Sequence, residues 1–83
     1  MNEDKDNTPR RATINPTSLG QAIRSRRLDA QLNQRELGAL LDRDRSAVCR
    51  LEAGQSNPTW SMINRLAIAL ECPVDDLVVL ARM

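Results

Sequence analysis

The sequence predicts an all-α fold, a single small domain of five short helices. Eighty-three residues make at most one domain. The chain is 41% apolar yet holds one aromatic residue, Trp60, with no Phe, Tyr or His. Its core must therefore come from Leu, Ile, Val, Ala and Met, which suits closely packed helices. Apolar residues also recur at three-and-four spacing between capping residues, with no alternating run to suggest a strand.

Residues 1–16, MNEDKDNTPRRATINP, carry two prolines and no apolar periodicity, and read as a flexible arm ahead of a domain over 17–83. Arg10 and Arg11 could reach a phosphate backbone or a minor groove; the plain alternative is a tail that touches nothing. Thr17 or Ser18 offers the first N-cap, and Leu19, Ile23 and the stem of Arg27 follow four apart, with Leu28 and Leu32 after them. Asn33 caps a second helix, and Glu36 completes a capping-box pair with it. That helix buries Leu37 and Leu41, while Gly38 admits a close neighbour. It must stop near Asp42, because Asp44 is the next N-cap. A third helix, Arg45 to Glu52, is closed by Gly54, a natural left-handed terminator. Thr59 caps a fourth, carrying Trp60, Ile63, Leu66, Ala67 and Leu70. After Cys72-Pro73, a fifth helix runs from Val74 to Ala81 with Leu77 and Leu80 inward.

Composition excludes several functions. Without His there is no imidazole acid–base chemistry. Cys49 and Cys72 are too few for a structural zinc site and too few for a disulfide framework, so a reducing cytoplasm is the expected home, with no metal or cofactor. Asp75 and Asp76 are adjacent on a helix and diverge, and Cys49 has no His to activate it, so an enzyme is not expected. No apolar run approaches the roughly 20 residues that span a bilayer, and MNEDKDN is no signal peptide.

Where the charge sits tells more than its total of +1. Residues 1–23 are neutral, residues 24–50 carry seven Arg against four acids, and residues 51–83 carry two Arg against four acids. The basic middle is what local nucleic-acid contact needs. It coincides with the stretch from Asn33 to Gly54, two helices of about eight residues joined by a tight turn, which is a helix-turn-helix. At about 100° per residue from Arg45, the residues Arg45, Cys49, Ser46 and Arg50 fall at about 0°, 40°, 100° and 140°. Ala47, Val48, Leu51 and Glu52 fall on the opposite side. The outer face offers two guanidinium forks, a hydroxyl and a thiol, and no acid. Each fork can bond guanine O6 and N7, for roughly 1–3 kcal/mol of discrimination.

Leu19-Gly20 through Arg27, Asn33-Gln34-Arg35-Glu36-Leu37-Gly38 and the run Asp44 to Gly54 resemble the phage-repressor (Cro/cI-type, or XRE) helix-turn-helix family. Asn57-Pro58-Thr59 and Leu66-Ala67-Ile68-Ala69-Leu70 extend the resemblance over about residues 18 to 80. It implies a five-helix lambda-repressor-like domain that binds double-stranded DNA, commonly as a dimer on an operator of two half-sites. Position by position it implies base reading by Arg45, Ser46 and Arg50, with Cys49 between them against a thymine methyl or a phosphate. It implies that Gln34 bonds a backbone phosphate and buttresses the reading helix, and that Asn57 also lies at phosphate. Arg27 and Glu52 match a buried ion pair joining the first and third helices, a structural role.

The sequence departs from the family at the turn, where Asp42 and Arg43 replace Gly and an apolar residue. Asp tolerates the left-handed conformation, and Arg43 is expected to extend toward solvent or a phosphate. Ala53 replaces a polar phosphate contact, and Pro73 replaces the usual cap of the last helix. Val74, Leu77, Val78, Val79, Leu80 and Met83 make the last segment apolar on more than one face. Val78, Val79 and Met83 are therefore expected to form a two-fold homodimer interface. The resulting expectation is a cytoplasmic transcriptional regulator, a repressor, reading the major groove with helix 45–52. A second reading uses the same fold to bind a protein, as an antitoxin or coactivator does, through residues 1–16.

Overall fold

The computed structural model describes residues 15–81, and side chains as far as Val78. Five helices follow in order: α1 (Pro16–Asp29), α2 (Gln34–Leu41), α3 (Arg45–Glu52), α4 (Trp60–Ala69) and α5 (Val74–Ala81). No strand occurs among the described residues, and none of their helices is long and apolar enough to cross a membrane.

The caps explain the boundaries. Asn33, Asp44 and Thr59 each accept a backbone N–H from the first turn of the helix they precede. Asn33 and Glu36 form a reciprocal box: Glu36 N–H donates to Asn33 Oδ1 at 2.7 Å, and Asn33 N–H to Glu36 Oε1 at 2.8 Å. The start of α1 differs from expectation. Its N-cap is Asn15, whose Oδ1 accepts from Thr17 N–H at 2.9 Å and Ser18 N–H at 3.3 Å, so neither Thr17 nor Ser18 is the cap. Pro16 takes the first helical position, where its missing N–H costs nothing and its fixed φ already suits a helix. The helix thus begins inside the segment 1–16, whose residues 1–14 lie outside the described residues.

The first four helices end alike. Leu32 N–H bonds the Arg27 carbonyl, Arg43 that of Gly38, Gln55 that of Arg50 and Cys72 that of Ala67, each spanning five residues back. The residues before these donors are left-handed: Gln31 (φ 62°), Asp42 (58°), Gly54 (74°) and Glu71 (55°). This is the Schellman closure four times over, and only Gly54 adopts it without a Cβ penalty.

The core gathers Leu19 and Ile23 of α1, Leu37 and Leu41 of α2, Val48 and Leu51 of α3, Ile63, Leu66 and Ala67 of α4, Leu70 just after it, and Leu77 of α5. α1 packs on α3 and α5, α2 on α3 and α4, and α4 on α5. From α4, Arg65 Nη2 donates to the Leu41 carbonyl at 2.6 Å, tying down the end of α2.

Three apolar residues sit elsewhere than their spacing suggests. Leu28 is 53% exposed, because it lies nine residues and about 180° around α1 from Leu19. Trp60 is also 53% exposed. Helical side chains lean toward the N-terminus, so the ring of a first-turn residue projects past the end of α4. Val78, expected at a dimer interface, is instead buried in the domain's own core. α5 packs against both α1 and α4, which covers adjacent positions 77 and 78 together. The side chains of Val79, Leu80 and Met83 lie outside the described residues.

Candidate nucleic-acid interface

α3 is held by backbone contacts that demand glycine. A Cβ on Gly20 would meet the Leu51 and Glu52 carbonyl oxygens at 2.5 and 2.6 Å, so α1 lies directly against the C-terminal end of α3. A Cβ on Gly38 would meet the Arg43 carbonyl oxygen at 2.7 Å, so the turn entering α3 closes onto α2. Asp42 turns the chain at φ 58°, ψ 43°, and Asp44 Oδ1 then accepts from Ala47 N–H at 2.9 Å. Arg45 accordingly becomes the first residue of α3.

A polar network fixes α3 to the two helices before it. Arg27 Nε donates to Glu52 Oε2 at 2.6 Å and Arg27 Nη2 to Glu52 Oε1 at 3.1 Å, a bidentate pair. Its Nη1 donates to the Leu32 carbonyl at 2.8 Å. Gln34 Nε2 completes the set, donating to Glu52 Oε1 at 3.0 Å. The two charged side chains are only 7% and 3% exposed. The hydrogen bond that Arg27 donates to Glu52 raises the Arg27 pKa above its ordinary value, against a desolvation that lowers it, so the guanidinium is charged throughout the accessible pH range. The expected buried pair is thus present, and Gln34 acts as a buttress of α3.

With its inner side so held, α3 turns Arg45, Ser46, Cys49 and Arg50 outward, and all four are exposed. Val48 and Leu51 are buried. The helical wheel therefore separated the two faces correctly. The two arginines sit at opposite edges of this face and border different clefts. Arg45 borders one of about 490 Å³, with Arg24, Arg27, Asn33, Gln34 and Arg35. Arg50 borders one of about 270 Å³, lined also by Arg43, Ser56, Asn57 and Thr59. Arg43 is exposed, and its Nη1 donates to the Asp42 carbonyl at 3.1 Å. Asn57 is exposed in the loop after α3. Beside it the Ser56 Oγ is buried and has no hydrogen-bond partner among the described residues.

Sequence reasoning did not single out Gly20, Ser56, Arg24 or Arg35 in this region. Gly20 is next to Leu19 in a helical pattern, and nothing local announces the end of α3 that lies against it. Arg24 and Arg35 look like ordinary solvated arginines until folding brings them to one cleft.

Comparison with known proteins agrees with this architecture. A helix-turn-helix domain family model matches residues 18–80. The restriction-modification controller protein C.AhdI from Aeromonas hydrophila is 35% identical, with a TM-score of 0.72 over 76% of this chain and 91% of that one. The clp gene regulator ClgR from C. glutamicum is 27% identical, with a TM-score of 0.76 over 80% and 85%. A hypothetical transcription factor, NHTF, from Neisseria is 26% identical, with a TM-score of 0.73 over 77% and 74%. No curated protein sequence matches. With five helices, α2 and α3 joined by the tight turn, and these likenesses, the chain belongs to the Cro/cI-type helix-turn-helix family of DNA-binding transcription regulators.

Proposed function

We propose that this protein is a sequence-specific regulator that inserts α3 into the major groove of an operator and represses transcription by occupying it. The observation that carries the reading is the outward face of α3: two arginines, a serine and a cysteine, all exposed, with no carboxylate among them. Arg45 and Arg50 are the base readers, bidentate to guanine, and Ser46 adds a hydroxyl. Cys49 lies between them, small enough to rest on a thymine methyl. Gln34, Arg43 and Asn57 contact phosphates beside the groove, the first in addition to its bond with Glu52. Arg27 and Glu52 remain structural.

The operator is expected to have two half-sites read by a homodimer. Since Val78 is internal, that interface must use other residues of the C-terminal segment, with Val79 and Met83 as candidates. The likeness to a restriction-modification controller supports control of such a gene set as the biological setting.

Selecting bound duplexes from a random pool tests the reading. The expected product is a two-fold consensus with guanines facing Arg45 or Arg50. Arg50→Ala should flatten the preference at one position, with a loss of roughly 1–3 kcal/mol there, while nonspecific affinity changes less. An A·T-only consensus, or none, would overturn the residue assignments. Sedimentation with and without duplex reads the stoichiometry. Failure to bind any duplex would favour the protein-partner reading instead.

A further inference from the structure

We infer that Arg24 and Arg35 form a clamp for DNA backbone phosphates, making α1 a DNA-contacting element and lengthening the footprint beyond the groove that α3 enters. The inference rests on the DNA-binding reading above and deepens it.

The cleft of about 490 Å³ is walled by four arginines, Arg24, Arg27, Arg35 and Arg45, from three different helices. One of them is neutralised: Arg27 by Glu52. Among the described residues the ion pairs are Arg27–Glu52 and Arg26–Asp76, so no carboxylate there answers Arg24, Arg35 or Arg45. The acids next to Arg35 and Arg45 in sequence are engaged in helix caps: Glu36 accepts the Asn33 N–H and Asp44 the Ala47 N–H. Folding therefore gathers three guanidinium groups with no carboxylate partner among the described residues around one concavity, a repulsive arrangement that an anion relieves.

The polar backbone points the same way. In the first turn of α2, Glu36 N–H is taken by the Asn33 side chain and Leu37 N–H by the Asn33 carbonyl. The amides of Gln34 and Arg35 have no such partner among the described residues, and they stand beside the Arg35 side chain at the positive end of the helix dipole. Donors from an amide row and from guanidinium forks suit phosphate oxygens.

Arg45 identifies the source of the phosphate. It belongs both to this cleft and to the outward face of α3, so the two surfaces are continuous. A duplex whose major groove holds α3 must carry one of its strands past the N-terminal end of that helix, which is where the cleft opens. The occupant is then two phosphates of that strand, held by Arg24 and Arg35, while Arg45 turns inward to the bases.

The test compares the full chain with Arg24→Gln/Arg35→Gln across salt on one selected duplex. Both residues are exposed, so the variant should melt with the wild type. Two lost phosphate contacts should make the slope of log Kobs against log salt shallower by about 1.8. Between 50 and 200 mM salt the wild type would then lose about 12-fold more affinity than the variant. The selected consensus should not change. Ethylation of two phosphates flanking the half-site should weaken the wild type and leave the variant indifferent. A variant slope within about 0.5 of the wild type, or a changed consensus, overturns the clamp while DNA binding stands. If the wild type binds no duplex at any salt, the DNA-binding reading fails and the clamp with it.

Discussion

Replacing Glu52 with Gln changes one atom type and should remove a large part of the protein's stability. The carboxylate accepts Arg27 Nε at 2.6 Å, Arg27 Nη2 at 3.1 Å and Gln34 Nε2 at 3.0 Å. A carboxamide keeps one acceptor oxygen and sets an NH2 donor against donors. The Arg27 charge, 7% exposed, is then left in place without its counter-charge. Breaking a buried pair in this way costs about 3–5 kcal/mol. Arg27 also borders the α1–α2 cleft, so solvent reaches one side, and the lower end, about 3 kcal/mol, is the expected value. A folded chain of 83 residues has only about 4–12 kcal/mol of stability in all. The melting temperature should fall by about 12–24 °C, read by far-ultraviolet circular dichroism. The control is Arg27→Met/Glu52→Met, which removes both charges and should return to within about 1 kcal/mol of the wild type, since paired apolar replacement is often neutral or better. A Glu52→Gln protein melting within 5 °C of the wild type (roughly 1 kcal/mol) would refute the reasoning.

Other perturbations separate strained, close-packed and exposed features. Gly20→Ala puts a methyl 2.5 Å from the Leu51 carbonyl oxygen and should destabilise by about 1–3 kcal/mol in urea unfolding; a neutral result would mean α1 and α3 are not held so close. Gln31→Gly should do the opposite, gaining up to about 1 kcal/mol by relieving a left-handed residue at φ 62°, and a loss of stability would contradict that backbone. The Arg26–Asp76 pair spans 2.5 Å but its side chains are 40% and 36% exposed, so Asp76→Asn should change stability by less than about 1 kcal/mol, in contrast to Glu52→Gln. Burial raises the Cys72 thiol pKa, with Arg26 opposing and Asp76 assisting, so its alkylation should titrate above the ordinary thiol value of about 8.5. Because the neutral form is favoured in the folded state, that contribution is intact at neutral pH and is lost as pH rises through the raised value. An apparent pKa at or below the ordinary one would contradict the burial.

The legible parts of this fold were those written in local chemistry. Asn33, Glu36, Asp44 and Thr59 each satisfy free amides within three residues, so helix starts could be read from neighbours alone. The split of α3 into two faces followed from a fixed angular step, and Val48 and Leu51 are buried where that step puts them. Terminators were legible at Gly54 and at Asp42; Gln31 and Glu71 adopt the same conformation with residues that do not advertise it. Asn15-Pro16 looked like part of an arm because proline signals both a loop and a first helical residue. Of the misplaced apolar residues, Val78 depends on packing, since α1 and α4 decide what covers it, whereas Leu28 and Trp60 are left uncovered by their places on their own helices. Gly20 and the Arg24–Arg35 cleft are likewise products of tertiary proximity, invisible to spacing.

The turn between α2 and α3 divides its labour among three residues. Gly38 is fixed by backbone 2.7 Å away from where its Cβ would be, and Asp42 by its left-handed angles. The Arg43 side chain is constrained by neither: it is exposed and donates only to the carbonyl of its immediate neighbour, while the backbone of residue 43 closes onto Gly38. Substitution there leaves the angle between the helices intact, and with it the orientation of the reading residues. The position is therefore a dial. On the proposed reading, in which Arg43 meets a phosphate and α3 the bases, a single charge at residue 43 sets the overall grip on nucleic acid without altering the choice of sequence.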